Sequence, residues 1–279
     1  MVPDEAVAPV ITFLSDYGLL DEFVGVCHGV IARRCPAARV IDLTHGIPRH
    51  DVRAGATVLQ AALPYMPAGV HLAVVDPGVG ATGPDARRAV ALRTAREERL
   101  LVGPDNGLLM PAAERLAGVA EAVDIGSSPE RLQPVSRTFH GRDIFAPVAA
   151  ALAAGASLAE VGEPLAAHEL RRLELPAAQL GDGAVVAHVL RCDSFGNLIL
   201  DAGAQQLAAA GMQPGSALAL RHAGSDHAAS YVATFADVPA GELLLYQDAQ
   251  QMIALAVNRG SAAELLGAGR DDEIVVRAA

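Results

Sequence analysis

The sequence predicts an α/β protein in which a mostly parallel N-terminal sheet flanked by helices is followed by a small C-terminal antiparallel β-barrel. Three observations support this class: strand-like and helical segments alternate in the first half, the composition changes near Gly155, and short strand-like runs follow one another afterwards. Strand–helix alternation favours a parallel sheet, because each crossover helix returns the chain to the same edge. The expected boundaries are an N-terminal α/β domain over residues 1–165, a linker over 166–182 and a barrel domain over 183–279.

Apolar, β-branched runs in the first half predict strands at residues 10–14, 39–43, 70–75, 88–92 and 100–102. Apolar residues at helical spacing predict a helix that begins at Phe23 and stops before Pro36. Asp51 is a good N-cap for the next helix, and a further helix is expected over residues 143–153. Strands and helices therefore alternate along this half of the chain.

Glycine, proline and mixed charge mark residues 155–183 as a stretch of changed composition, within which the linker over 166–182 is predicted to cross the surface. Beyond it, strands are expected at 184–190, 197–200, 217–220, 231–235, 243–246, 252–257 and 273–276, with small helices near 204–210 and 262–266. This spacing of short runs predicts a small antiparallel barrel or sandwich.

The overall composition excludes several classes of function. A formal net charge of −11 argues against a nucleic-acid partner, because phosphate binding needs a basic face. Hydrophobic residues make up 52% of the chain, but no uninterrupted apolar run reaches the roughly 18 residues of a membrane span. The first nine residues lack the basic region of a secretory signal, and the three cysteines are too scattered for a disulfide framework. We therefore expect a cytoplasmic protein.

Polar side chains follow three of the predicted strands in the first half. Ser15 and Asp16 follow the first strand, Thr44 and His45 the second, and Asp76 the third. Because ligands bind at the carboxyl ends of the strands in an open α/β sheet, these residues are candidates for substrate contact. Turn formation is the alternative role for the two aspartates, since Asp is a common turn residue.

Two further segments of the first half are candidates for chemistry. The glycines of DPGVG at residues 76–80 let the backbone approach a ligand closely. This segment has neither the G-x-G-x-x-G order of a dinucleotide loop nor the Lys-Ser/Thr pair of a phosphate loop, so nucleotide-phosphate binding is rejected. His140 precedes the last helix and is either a general base, an orienting donor or a structural residue.

A metal site is the alternative use of the histidines and carboxylates in this half. No paired-histidine spacing supports such a site, and we expect no metal. The residues concerned are His45, His50, His140, Asp16 and Asp76.

In the second half, DSFGN at residues 193–197 joins two predicted strands. It is either an ordinary hairpin or a site that offers the Asp193 carboxylate to an ammonium group and the Asn197 amide to a purine edge. Phe235 and Tyr246 stand out because aromatic residues make up only 4% of the chain. Each of them is either part of the core or a surface on which a base stacks.

Taken together, these segments resemble one protein family over nearly the whole chain. The motifs are FLSDYG (13–18), IDLTH (41–45), DVRAGA (51–56), VVDPGVG (74–80), PDNGL (104–108), TFHGRD (138–143), DSFGN (193–197) and VNRG (257–260). They are similar to those of the S-adenosyl-L-methionine hydroxide adenosyltransferases, adenosine-forming hydrolases related to the fluorinase and chlorinase. The resemblance implies an N-terminal α/β domain, a C-terminal β-barrel, a homotrimer with active sites between subunits, and a small-molecule substrate without a cofactor.

The resemblance also implies roles for individual residues. Catalysis falls on Asp76, Arg87 and His140, with Arg88 as the alternative arginine because residues 81–86 form a longer segment than usual. Substrate binding falls on Asp16 (ribose hydroxyls), Asp193 (methionine ammonium), Asn197 (adenine edge), Phe235 (stacking on adenine), and Asn258 with Arg259 (backbone near adenine).

The expected reaction is hydrolysis and not halogenation. Halide-using relatives carry Tyr, Thr and Ser where this chain has Asp76, Val79 and Gly141. A carboxylate beside the halide position disfavours the anion by at least roughly a few kcal/mol, whereas water can donate a hydrogen bond to it. We expect in-line attack of water on the ribose C5′ carbon of S-adenosyl-L-methionine, with adenosine and L-methionine as products.

The sequence leaves the nucleophile open. Arg87 beside Asp76 favours the ionised carboxylate and makes it a weak base. The nucleophile is therefore either a water that loses its proton late or a hydroxide stabilised by Arg87 and His140. Two other classes also fit the residues: a non-catalytic binder of S-adenosylmethionine or adenosine, and a metal-dependent hydrolase.

Overall fold

The computed structural model describes residues 8–279, and the expectation for the first nine residues falls almost entirely outside this range. The chain divides into two compact units, one that ends at Leu173 and one that begins at Glu174. Within the described range, no helix combines the length and the apolarity that a membrane span requires.

The N-terminal unit is built on a seven-stranded mixed sheet in the order β2-β1-β3-β5-β4-β6-β7. Its strands are β1 (Val10–Ser15), β2 (Arg39–Thr44), β3 (Val70–Val74), β4 (Ala89–Thr94), β5 (Leu100–Pro104), β6 (Val119–Asp124) and β7 (Glu163–Pro164). The pairs β2–β1, β1–β3 and β3–β5 are parallel, and the pairs from β5 to β7 are antiparallel. Ser15 of β1 lies opposite Val74 of β3, so these two strands end at the same edge.

Helices cover both faces of this sheet. They are α1 (Phe23–Arg34), α2 (Val52–Ala62), α3 (Met110–Arg115), α4 (Ala146–Ala153) and the single turn α5 (Leu158–Val161). The core on one face includes residues of α1 and α4, and the core on the other includes residues of α2 and α3. The Asp51 side chain caps α2 by accepting a hydrogen bond from the Ala54 backbone at 2.9 Å, as the sequence predicts. A π-helical turn, Gly141–Phe145, leads directly into α4.

The C-terminal unit is a closed β-barrel. Its strands are β8 (Gln179–Gly181), β9 (Ala184–Cys192), β10 (Leu198–Leu200), β11 (Ala217–His222), β12 (Ser225–Tyr231), β13 (Leu243–Gln247), β14 (Ile253–Val257) and β15 (Glu273–Ala278). Seven strands close the ring in the order β10-β14-β13-β12-β11-β15-β9, and the β9–β10 pair completes it, while β8 adds to β9 outside the ring. Two short helices, α6 (Ala204–Ala209) and α7 (Ala262–Leu266), lie close to their predicted positions. The predicted fold class is confirmed.

One predicted strand is misplaced, and one pairing differs from the expectation. The segment predicted at 231–235 is β12 at Ser225–Tyr231, and Phe235–Asp237 forms a single 3₁₀ turn. In β12 only Ala229 and Tyr231 are buried, so most of the strand carries no apolar periodicity that sequence reasoning can detect. The pair β12–β13 is parallel, whereas the other neighbouring pairs in the barrel are antiparallel.

A histidine at the centre of the N-terminal sheet makes the stability of this unit sensitive to acid. His71 of β3 is fully buried, and its Nδ1 lies 2.9 Å from the Thr12 hydroxyl. Burial, with a smaller contribution from the positive charge of Arg99, lowers the pKa of His71 to about 3. Between about pH 6.5 and 3 the unfolded chain therefore holds a proton that the folded chain does not, so stability falls as the pH falls through this window.

Replacing this histidine should remove that part of the acid sensitivity. We expect His71→Leu to reduce the pH dependence of the unfolding free energy between pH 6 and 4 by about 1.4 kcal/mol per pH unit. Urea denaturation of the wild type and the variant at a series of pH values measures the difference. The exposed His168 provides the control, since His168→Leu should leave the slope unchanged. Equal slopes for the wild type and His71→Leu would contradict the assignment.

Candidate active site

Two carboxylates predicted to bind substrate lie at the same edge of the N-terminal sheet. Asp16 follows β1 directly, and Asp76 lies two residues beyond the end of β3. Because β1 and β3 are parallel neighbours in register, both residues emerge at the carboxyl ends of adjacent strands. This is the edge at which open α/β sheets bind their ligands.

A cavity of about 440 Å³ opens at this edge. It brings together four residues that the sequence singled out as candidates, Asp16, His50, Asp76 and His140. Val79 and Gly141, which stand where the halide-using relatives carry Thr and Ser, also line it, and the lining residues that sequence reasoning did not select are Tyr17, Asp21, Phe23, Arg49 and Thr138. The size suits part of a nucleoside-sized ligand, since ligand sites typically occupy about 300–1,000 Å³.

Asp76 forms a bidentate ion pair with Arg87. The Arg87 Nε donates to Asp76 Oδ1 at 2.9 Å, and Nη2 donates to Oδ2. Both side chains are almost fully buried, at 6% exposed for Asp76 and 5% for Arg87. The guanidinium also lies over the Phe145 ring, with its Cζ 5.3 Å from the ring centroid. The carboxylate is therefore held in a fixed position with its charge matched.

His140 extends this ion pair into a hydrogen-bonded set of three side chains. The Arg87 Nη2 lies 2.9 Å from His140 Nδ1. A guanidinium has only donors, so Nδ1 must accept, and the neutral ring carries its proton on Nε2. Burial, followed by the positive charge of Arg87, lowers the pKa of His140 below the usual 6.5. His140 is thus neutral at physiological pH and offers Nε2–H as a hydrogen-bond donor.

The glycine-rich loop after β3 allows this close assembly. Gly80 has a φ of +73°, and a side chain there would lie 2.1 Å from the backbone oxygen of Arg137. Glycine is therefore required on both conformational and steric grounds. The loop can then pass beside the segment that leads into His140.

The two candidate arginines have different partners. Arg87 contacts Asp76 and His140, as described above. Arg88 pairs with Glu169 at 3.1 Å and lies 3.8 Å from the Asp105 carboxylate. Arg87 is therefore the arginine that is bonded to Asp76, and Arg88 belongs to a different set of ion pairs.

Asp16 and His45 differ in their relation to the cavity. One oxygen of the Asp16 carboxylate accepts a hydrogen bond from the His50 backbone at 2.9 Å, which fixes the orientation of its side chain. His45 does not line the cavity, and it is buried with its Nδ1 2.7 Å from the Ser15 hydroxyl. Of the five residues considered as metal ligands from the sequence, Asp16, His50, Asp76 and His140 line this cavity and His45 does not.

The barrel carries a second cavity, of about 470 Å³, that gathers most of the residues expected near adenine. It is lined by Phe195, Asn197, Phe235, Val257, Asn258, Arg259 and Gly260. Phe195, which is 77% exposed, was not singled out from the sequence, although its place inside the DSFGN motif was the available signal. Tyr246 supports Phe235 from the side, with the two ring centroids 4.8 Å apart.

Hydrogen bonds fix the polar groups near the barrel cavity. Asp193 accepts from the backbone of Phe195 and Asn197, each at 2.9 Å, and from the Asn197 side-chain amide at 2.8 Å. The Asn258 amide donates to the backbone oxygen of Val238 at 2.7 Å. Asp193 does not line the cavity itself. The hairpin and the functional interpretations of DSFGN are therefore compatible, because the same bonds that close the turn also orient Asn197.

The contact between Gly141 and Tyr17 in the N-terminal cavity leads to a testable expectation. A Cβ atom at position 141 would lie 2.0 Å from the Tyr17 hydroxyl oxygen. We expect Gly141→Ala to lower the unfolding free energy by about 1–3 kcal/mol, as overpacking does, and to lower kcat/KM by displacing Tyr17. Urea denaturation and steady-state kinetics measure both effects.

Two further variants make this test specific. Gly25→Ala is the control, because nothing lies within 4 Å of a Cβ at that position of α1. Gly141→Ala combined with Tyr17→Phe should recover part of the lost stability, since the clashing hydroxyl is gone. If the double variant were no more stable than Gly141→Ala alone, the proposed contact would not be the cause.

Comparisons with known proteins identify a family that matches both units of the chain. The model of the SAM hydroxide adenosyltransferase N-terminal domain matches residues 11–162, and that of the C-terminal domain matches residues 187–275. An (R)-S-adenosyl-L-methionine hydrolase of Salinispora tropica is 54% identical over 197 residues, which cover 71% of this chain and 73% of the relative. One of Salinispora arenicola is 50% identical over 240 residues, 85% of each chain.

A solved structure is similar over nearly the whole length of the chain. An uncharacterized conserved protein from Thermotoga maritima superimposes with a TM-score of 0.88 at 35% sequence identity, over 96% of this chain and 99% of the other. The family resemblance expected from the motifs is thus confirmed over both units. The chain belongs to the SAM hydroxide adenosyltransferase family.

Proposed function

We propose that the protein hydrolyses S-adenosyl-L-methionine to adenosine and L-methionine. The observation that carries this proposal is the set of three hydrogen-bonded side chains Asp76, Arg87 and His140. Asp76 and His140 line a cavity that Asp16 also lines. A carboxylate fixed by a guanidinium, next to a neutral histidine that donates from Nε2, provides one acceptor and one donor for a single water molecule. The names of the two Salinispora relatives support the same reaction.

The reaction is a substitution at the C5′ carbon of the ribose. A bond forms between the water oxygen and C5′, the bond between C5′ and sulfur breaks, and its electron pair stays on sulfur as neutral methionine. The water loses one proton, which passes to Asp76 or to solvent. Because the leaving group is a neutral thioether, the reaction needs no acid, metal or cofactor. The enzyme mainly holds the water in line with the breaking bond.

The Asp76 carboxylate also explains the choice of water over halide. At about 4 Å, two unit charges interact by about 4 kcal/mol at the effective dielectric of a partly buried site. A halide beside Asp76 would experience that repulsion, reduced by the attraction of Arg87. Water experiences no such repulsion, since it donates a hydrogen bond to the carboxylate. Hydrolysis is therefore favoured over halogenation.

Substrate contacts are proposed from both cavities. Asp16 accepts hydrogen bonds from the ribose hydroxyls, and Asn197 reads the adenine edge. Phe235 stacks on adenine, while the backbone at Asn258 and Arg259 contacts the edge of the adenine ring. Asp193 remains able to accept from the methionine ammonium, because a carboxylate has about four acceptor positions and three are used within the turn.

The assembly and the location are proposed on the family resemblance. We infer a cytoplasmic homotrimer with its active sites at the subunit interfaces. Sedimentation equilibrium measures the mass of the assembly, and a stable monomer that retains full activity would contradict this proposal.

The names of the Salinispora relatives specify the R epimer of the substrate. A sulfonium centre with three different carbon substituents is pyramidal and chiral, so an in-line site can act on one epimer and not on the other. We infer that this protein prefers the R epimer at sulfur. Separate incubations with the two resolved epimers measure the preference, and equal kcat/KM values would contradict it.

Phe235 should contribute to substrate affinity. Stacking of a base on an aromatic ring is worth about 1–3 kcal/mol, so we expect Phe235→Ala to raise KM by about 5-fold to 150-fold. The rate constant kcat should change little, because the stacked base is distant from the reacting carbon. Leu265→Ala, at another exposed apolar residue of the barrel, is the control and should leave KM unchanged. An unchanged KM for Phe235→Ala would remove this residue from the site.

The decisive experiment for the reaction uses water labelled with oxygen-18. Overnight incubation at high enzyme concentration, followed by chromatography and mass spectrometry, should show adenosine with the label in its 5′-hydroxyl and unlabelled methionine. Tight binding without products would indicate a non-catalytic binder. Label in a product other than adenosine would show attack at a different carbon. Activity that is lost with a chelator would indicate a metal-dependent hydrolase.

A further inference from the structure

A group of two histidines and one aspartate lies outside the catalytic cavity, on the side of the sheet covered by α1. His28 belongs to α1, Asp42 belongs to β2, and His45 follows β2. The Nε2 atoms of both histidines approach the same oxygen, Asp42 Oδ1, at 2.9 Å for His28 and 3.0 Å for His45. The three ligand atoms all lie within 4.8 Å of one another.

The hydrogen bonding of His45 is incomplete without a further partner. Its side chain is 2% exposed, so water does not reach it freely. Its Nε2 lies 3.0 Å from Asp42 Oδ1 but makes no hydrogen bond of acceptable geometry, to that oxygen or to any other group of the described residues. A buried polar nitrogen without a partner destabilises the fold, because its lost hydration is not replaced. This nitrogen is also an atom through which imidazole binds metal ions.

The other ring nitrogen of His45 has the partner that a metal ligand requires. Its Nδ1 lies 2.7 Å from the hydroxyl of Ser15, which is fully buried. A histidine that binds a metal through one nitrogen donates its other N–H to a nearby acceptor, which fixes the orientation of the ring. With a metal on Nε2, the Nδ1–H of His45 would donate to the Ser15 oxygen.

The type and spacing of the three groups favour one class of ion. Tetrahedral zinc with bonds of about 2.0–2.2 Å holds its ligand atoms roughly 3.3 Å apart, which is close to the two distances measured here. Two imidazoles with one carboxylate suit zinc and similar transition metals, whereas calcium and magnesium prefer oxygen ligands. His28 and Asp42 are 35% and 41% exposed, so an ion can enter from solvent.

We propose that His28, Asp42 and His45 bind one divalent transition-metal ion of the zinc class, with solvent at the fourth position. The ion links α1 to β2 and, through Ser15, to the end of β1 that carries Asp16. Its role is to stabilise this part of the N-terminal unit. No step of the proposed hydrolysis uses it, so the site stands independently of the catalytic proposal.

Metal binding can be measured without substrate. We suggest Cys192→Ser as the background, because Cys192 is the one exposed thiol among the three free cysteines. After treatment with chelator, isothermal titration calorimetry with Zn²⁺ should show one site per chain. Co²⁺ should give the intense visible bands of a tetrahedral complex, and saturating Zn²⁺ should raise the melting temperature.

Variants at the three ligands and beside them test the assignment. We expect His28→Ala and Asp42→Asn to weaken Zn²⁺ binding by about 100-fold or more, and Ser15→Ala to weaken it by about 10-fold to 100-fold. His168→Ala, at an exposed histidine of the same unit, should bind Zn²⁺ as the parent does. His28 is 35% exposed and belongs to a different element from Asp42, so its variant tests the site even if Asp42→Asn fails to fold.

The outcomes separate clearly. Loss of the site in His28→Ala with retention in His168→Ala supports the proposal. Absence of stoichiometric Zn²⁺ binding by the parent, or equal binding by both histidine variants, overturns it and leaves the group as a hydrogen-bonded link between α1 and β2. Neither result depends on whether the protein hydrolyses S-adenosyl-L-methionine.

Discussion

Asp76→Asn should lower kcat by about 100-fold to 10,000-fold while the protein stays folded. The amide has nearly the same shape as the carboxylate, but it carries no charge and cannot take a proton from water. Its NH₂ group would also replace an oxygen that accepts a hydrogen bond from Arg87. Two donors would then face each other, so the side chain at position 76 would shift. Initial rates of adenosine formation, measured by chromatography at saturating substrate, give the effect on kcat.

A control is needed because Asp76 is buried in an ion pair. Asp21→Asn alters a second carboxylate that lines the same cavity but makes none of the contacts with Arg87 described above. We expect this variant to keep kcat within about tenfold of the wild type, since Asp21 is not one of the three hydrogen-bonded residues that hold the water in the proposed mechanism. Full turnover by Asp76→Asn, with its circular dichroism unchanged, would show that the water is positioned by another group.

Arg87→Met should be the most destabilising single change in the site. The substitution keeps much of the apolar stem but leaves the Asp76 carboxylate, 6% exposed, without its cation. Removing one partner of a buried ion pair typically lowers the unfolding free energy by about 3–5 kcal/mol. The loss of the Arg87 contact should also release His140 and abolish most of the activity. Urea denaturation at equal protein concentration measures the stability change.

The neighbouring arginine is a matched control for this prediction. Arg88 is 39% exposed, pairs with the exposed Glu169 and lies at the longer distance of 3.8 Å from the Asp105 carboxylate, so Arg88→Met should lower the unfolding free energy by clearly less than Arg87→Met does. The double variant Asp76→Asn with Arg87→Met should be more stable than Arg87→Met alone, because no charge remains buried. Equal effects of the Arg87 and Arg88 variants would contradict the distinction between them.

The sequence predicts the fold class and most elements because their physical causes are local, although it predicts no element at α3, β6, β7 or β8. The run of β1, the Asp51 cap of α2 and the turn residues between barrel strands each depend on neighbours in the chain. β12 escaped detection since Ser225 to Tyr231 reads as a mostly polar segment, and its place in the barrel depends on pairing with β11 and β13. Such long-range pairing leaves little trace in the pattern of a single strand.

The candidate site likewise contains residues that local sequence identifies and residues that only the folded structure identifies. Asp16 and Asp76 were found because each follows a clear strand, and the order of strands then makes them neighbours. Arg87 and Arg88 are identical neighbours, so the sequence does not show which of them contacts Asp76. That distinction follows only from the path of the backbone after Gly80. Tyr17 and Phe195 were missed as site residues, because nothing in their spacing distinguishes a cavity wall from an ordinary turn.

The acidic lining of the N-terminal cavity has a consequence for the release of products. Asp16, Asp21 and Asp76 face it, against Arg49 in the lining and Arg87 behind it. The substrate carries a permanent positive charge on sulfur, and hydrolysis removes that charge as methionine departs. The attraction that draws the sulfonium in is therefore absent for both adenosine and methionine. We expect weak product inhibition, and a substrate affinity that declines with added salt while that of adenosine does not.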